Sequence, residues 1–146
     1  MRLGLAALAL LSVALSAAAG AAQRPSFSGT WVIVSPEKSA GQEQVVKQDD
    51  KMLSLTARGR TVVHQLDGVE RKETRAMRGG EIVMLSKAVW EGNTIIITIA
   101  TTYPNMKTTS REVWSIDAQG RLLIEFTETA ENQQSRTVKA ILTRKQ

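Results

Sequence analysis

From Gly29 onward the chain alternates apolar and polar positions with period two, in short runs rich in Val, Ile, Leu and Thr broken by Gly, Asp and Asn. Successive side chains of a strand point to opposite faces, so this pattern predicts antiparallel strands joined by hairpins rather than helices. The spacing places strands near 29–35, 44–48, 52–57, 60–66, 70–77, 81–89, 94–102, 107–116, 121–128 and 135–144. Asp67-Gly68 tolerates the positive φ that both central positions of a two-residue hairpin turn demand, and Gly79-Gly80, Glu91-Gly92-Asn93 and Asp117-Ala118-Gln119-Gly120 mark turns of other lengths. Every connection is short. A parallel pair needs a crossover of a dozen residues or so, and each strand is therefore expected beside the next. The best helical candidate is 36–47, but Gly41 interrupts its apolar face and the pattern favours a loop.

An open meander leaves two edges free to pair with other chains, and rolling the sheet shut removes both. The expected fold is all-β, an antiparallel meander of eight to ten strands closed into a barrel. In the first strand Gly29 permits a tight chain entry, Trp31 offers a ring large enough to plug a barrel end, and Pro36 withdraws a backbone donor where the strand should stop. In the last strand Arg136, Val138, Ala140, Leu142 and Arg144 share one face, opposite Thr137, Lys139, Ile141 and Thr143. An apolar face ending in arginine predicts that this strand lies beside the first, with Arg144 stacked over Trp31 as structural closure.

Residues 1–22 follow a different rule. Arg2, an apolar run through Leu15 and small residues to Ala22 form the pattern of a cleaved signal peptide, and the run is shorter than the roughly 20 residues of a membrane-spanning helix. The expected organisation is a signal peptide, 1–22, and one domain, 23–146, located in the periplasm or secreted, with no stable membrane insertion once the signal is removed. The chain has no cysteine, which excludes a lipoprotein anchor, disulfides and a thiolate metal site. Removing the signal takes away Arg2 alone and leaves 18 basic against 14 acidic groups, a net charge of +4. Those charges are mixed in sign, the densest basic group, Arg71, Lys72, Arg75 and Arg78, being interleaved with Glu70 and Glu73. Only six aromatic side chains accompany them, so a nucleic-acid partner is not expected.

Gly29-Thr30-Trp31, the meander itself, Arg144 near the end, and the hairpin Trp90-Glu91-Gly92-Asn93-Thr94 followed by Ile95-Ile96-Ile97 resemble the lipocalin and fatty-acid-binding superfamily, the calycins, and in particular small secreted bacterial lipocalin-like domains. The resemblance implies a barrel. It does not extend to the clamp for a ligand carboxylate, because Arg144 is followed by Lys145 and Gln146 where fatty-acid-binding proteins have Arg-x-Tyr, and Thr101-Thr102-Tyr103 lacks the acid of the lipocalin Thr-Asp-Tyr turn.

Candidate chemistry is sparse. The lone histidine, His64, sits in a strand between Val62, Val63 and Leu66, with no second histidine to share a metal. Neither Ser54 nor Ser86 lies in a nucleophile-elbow motif that would let it work with His64. Asp49-Asp50 lacks the ligand spacing of a calcium loop and reads as a polar turn. Glu70, Glu73, Glu112, Glu125 and Glu128 read mostly as outward charges, and His64 converging with an acid in a pocket is the arrangement that would favour catalysis. The alternation puts Ile82, Met84, Ser86, Ala88 and Trp90 on one face and Val83, Leu85, Lys87 and Val89 on the other, and is compatible with either pointing inward and with a filled or a hollow lumen. The expectation is an exported, non-enzymatic protein without cofactor or metal, holding a small hydrophobic or amphipathic molecule against Met84, Trp90, Tyr103 and Trp114. The alternative is a packed barrel serving as a periplasmic protein-binding or inhibitor module.

Overall fold

The computed structural model describes residues 23–146, and the expected signal peptide lies outside the described residues. Ten strands follow one another: β1 (Gly29–Ser35), β2 (Glu43–Gln48), β3 (Met52–Ala57), β4 (Arg60–Gln65), β5 (Arg71–Met77), β6 (Gly80–Glu91), β7 (Thr94–Tyr103), β8 (Met106–Ile116), β9 (Leu122–Ala130) and β10 (Arg136–Arg144). All pair antiparallel in one sheet of order β4-β3-β2-β1-β10-β9-β8-β7-β6-β5. The period-two reading thus holds along the chain, with β6 running further toward both ends than expected. Of the 36–47 stretch, read as a loop, Glu37–Ser39 forms a single 3-10 turn and 43–47 belongs to β2.

One expectation fails. The sheet is not closed into a barrel, because β4 and β5 form its two free edges. The strongest hairpin signal, Asp67-Gly68, marks the one connection that is not a hairpin. Gly68, at φ +70°, donates its N–H to the Ala88 carbonyl at 2.9 Å, and Asp67 makes an isolated bridge with Val89, so the turn's backbone is engaged by β6 instead of by a β4–β5 ladder. Arg71 reaches back with two hydrogen bonds, 2.6 and 2.8 Å, to the Asp67 carboxylate, holding that carboxyl below its usual range. The connection is short, so the two edges still approach at this end while separating above it.

The ladder registers identify the inner face. Residues directly opposite in an antiparallel pair project to the same side, and the pairs Trp31–Arg144, Leu142–Leu122, Ile124–Trp114, Trp114–Ile95 and Ile95–Trp90 trace one side across six strands. On the far flank Val46–Leu55 and Leu53–His64 continue it. The buried cluster, including Trp31, Val46, Leu53, Ala88, Trp90, Ile95, Ile97, Trp114, Leu122 and Leu142, lies on this face. Strands distant in the sheet order share one core, so the sheet is strongly curled.

Aromatic side chains plug the end where the chain enters. Phe27, fully buried, stacks on Trp90 at 5.6 Å between ring centroids and meets Trp114 edge-on at 6.4 Å. Trp31, also fully buried, donates its indole N–H to the Phe27 carbonyl at 2.8 Å. The Arg144 guanidinium lies 4.3 Å from the Trp31 ring and donates to the carbonyls of Ser28 and Ser26 at 2.6 and 3.1 Å. Gly29 makes this possible: at φ +148°, a Cβ there would lie 2.5 Å from Nη1 of Arg144.

The closure is testable by denaturation. Trp31→Ala is expected to cost about 3–5 kcal/mol from the cavity it leaves. Arg144→Ala is expected to cost less, and a double-mutant cycle in urea should show a coupling of about 0.5–1 kcal/mol for the exposed cation over the ring.

Candidate functional site

The inner face changes character along its height. Near the aromatic plug it is apolar and sealed; toward the other end Ser86, Thr101, Thr108, Ser110 and Glu112 replace the large apolar residues, and burial relaxes. Between the free edge of β4 and the inner faces of β5 and β6 lies a cavity of about 250 Å³, lined by Val62, Val63, His64, Glu73, Arg75, Met84, Ser86 and Ile99. A recess of about 50 Å³ continues it toward the plug, again bounded by Val63, His64 and Ser86. The cavity follows from the split: with no β4–β5 ladder, side chains on each side of the gap have no cross-strand neighbour to fill against. A third hollow, of about 280 Å³ beside Ser28, Lys47, Gln48, Asp49 and Met52, gathers no comparable set of titratable groups.

His64 is the centre of the site. Its partner across the ladder is Leu53, a fully buried core residue, which sets its imidazole on the inner face. Burial pushes its pKa down from the ordinary value, because desolvation disfavours the imidazolium, while the Glu112 carboxylate pulls partway back up. That influence is itself structural, since β4 and β8 are six places apart in the sheet order. Glu112 sits opposite Ile97 and Phe126, and one of its oxygens accepts the Trp114 indole N–H at 2.8 Å. On the cavity wall Glu73 and Arg75 pair with each other at 2.7 Å.

The residues expected to bind ligand separate. Met84 lines the cavity. Trp90 and Trp114 instead belong to the aromatic plug with Phe27, beneath Arg24, which lies 5.0 Å from the Trp90 ring. Tyr103 is half-buried at the end of β7 and is not among the lining residues. The closure residues Gly29, Trp31 and Arg144 come together at the plug. Sequence reading passed over Val62, Ile99 and Ser86 as wall residues and took Glu112 mostly for an outward charge. The available signal was its spacing: Glu112 is two residues from Trp114 and therefore on the same face. His64 and Glu112, an acid and a base, do converge, yet neither hydrogen-bonds the other or Ser86, so no nucleophile–base pair is assembled. Asp49 caps a turn, accepting the N–H groups of Lys51 and Met52 at 2.8 Å each.

Among the described residues no group of three or more His, Cys, Asp or Glu side chains could hold a metal ion, and no helix is long and apolar enough to cross a membrane. The fold and site define an all-β protein with a split, curled sheet and a cavity at the split. No protein-family model matches the chain, and no curated protein matches it in sequence.

His64 gives this region a pH signature. Its folded-state pKa lies below the ordinary 6.5, so the unfolded chain takes up the proton first. The associated stability is present above that value and is lost as pH falls from it through the lowered folded-state pKa. His64→Gln should flatten this part of the stability profile in urea titrations between roughly pH 7 and 4, whereas an unchanged profile would show that the imidazole is solvated in the folded protein.

Proposed function

We propose that this protein is an exported, lipocalin-like carrier that binds a small hydrophobic or amphipathic molecule, without catalysis, at the split between β4 and β5–β6. The observation that carries the reading is the cavity itself: about 250 Å³ beside the inner face, with Val62, Met84 and Ile99 supplying apolar surface and His64 and Ser86 supplying polar contacts. An apolar pocket with a few convergent polar groups is the usual form of a small-molecule site. The volume fits a ligand of modest size. Export is supported by the residue pattern at 1–22, and the lipocalin likeness by Gly29-Thr30-Trp31 with Arg144 laid over the indole.

A second reading, a protein-binding or inhibitor module, draws on a different observation. The β4 edge carries Val62 and Val63, each about half exposed, beside unpaired backbone groups able to accept an added strand. Charged residues on β5 blunt the opposite edge. Pull-down from an envelope extract with no partner enriched over a Val62→Lys variant would remove this reading.

The binding reading is checked by titrating purified protein with an environment-sensitive dye and competing with a panel of lipids. Saturable binding is expected, and Ser86→Trp, which fills the cavity, should weaken it roughly tenfold or more, a loss of about 1.4 kcal/mol. Failure of every probe to saturate would overturn it.

A further inference from the structure

We infer that the site selects a ligand with a positively charged nitrogen head and an apolar body, the head reaching past Ile99 of the cavity wall to Glu112, the diagonal neighbour of Ile99 on the inner face. This rests on the binding reading above and assigns the chemistry of what is bound.

Most charges of the inner face stand beside an opposite charge. Glu73 pairs with Arg75 at 2.7 Å, Arg71 with Asp67 at 2.6 Å, and Glu128 stands directly opposite Arg136 in the β9–β10 ladder. Arg144 is committed to the Trp31 ring and to two backbone carbonyls. Arg60, at the start of β4, stands exposed at the rim. Glu112 differs from all of these. It is half-buried between Ile97 and Phe126, and among the described residues no lysine or arginine lies within ion-pair distance of it. The Trp114 indole occupies one carboxylate oxygen and leaves the other free to accept. A half-buried carboxylate without a countercharge is costly, and a charged donor brought by a ligand relieves that cost.

His64, held neutral at neutral pH by burial, does not neutralise Glu112 itself. The wall of Val62, Met84 and Ile99 accommodates the apolar remainder and disfavours a small, fully hydrated cation.

The experiment compares three probes of matched shape, 4-phenylbutylamine, 4-phenylbutanol and 4-phenylbutanoate, by isothermal titration of the purified protein at neutral pH. The amine is expected to bind roughly tenfold or more tightly than the carboxylate, in line with a charge-assisted hydrogen bond. Glu112→Gln, which keeps an acceptor for the Trp114 indole, should remove that preference while the alcohol's affinity stays within about twofold. Glu125→Gln, on the outward face, serves as the control and should leave the preference intact. If the carboxylate binds as tightly as the amine, or the amine's advantage survives Glu112→Gln, the assignment of a cationic ligand is overturned while the binding reading stands. If none of the three binds, both fall. The comparison on the unmodified protein decides the matter even if Glu112→Gln does not fold.

Discussion

The structure depends on burying one indole. Trp31 sits at the entry of the first strand, enclosed on its own side by the Phe27 carbonyl and on the other by a guanidinium contributed from the end of the last strand. This contact joins the two ends of a meander that local turns alone would leave as a flat ribbon. With β10 held beside β1, the sheet has β1 near its middle and its free edges at β4 and β5, two strands that are consecutive in sequence. A short connection then forces the edges together at one end. Curling, core and split all follow from that arrangement.

The split concentrates the chemistry. Where the ladder is continuous, cross-strand neighbours such as Trp114 and Ile95 fill the inner face and exclude ligand. Where it is interrupted, His64 and Ser86 face a gap instead of each other, and the cavity lies in that gap. The aromatic plug and the cavity therefore divide the interior between them. Trp90 and Trp114 are too well packed against Phe27 to serve as a ligand wall, while smaller residues further along β6, β7 and β8 leave room. Electrostatics follows the same division. Exposed ion pairs such as Arg71–Asp67 contribute little to stability but steer the chain through its turn, whereas the half-buried Glu112 carboxylate acts on the partly buried His64 across the interior.

Strand positions were legible because period-two alternation is a local property that survives without knowledge of partners. Arg144 over Trp31 was legible because an apolar strand face ending in a cation has few places to lie. The Asp67-Gly68 turn misled for a physical reason: tolerance of positive φ is common to hairpins and to other tight turns, and what the freed N–H bonds to depends on a third strand. The tryptophans were ambiguous for a similar reason, since a large ring suits a plug and a pocket equally well, and packing on Phe27 is what sets Trp90 and Trp114 at the plug.

The sequence by itself determined where the strands run, their order along the chain and the short connections between them, because each depends only on residues near in the chain. Only the tertiary structure decided which face turns inward, that the ladder stops between β4 and β5, and that His64 comes within electrostatic reach of Glu112. These are outcomes of how far the sheet curls before its core is filled, and that balance is set by side chains on strands distant in sequence.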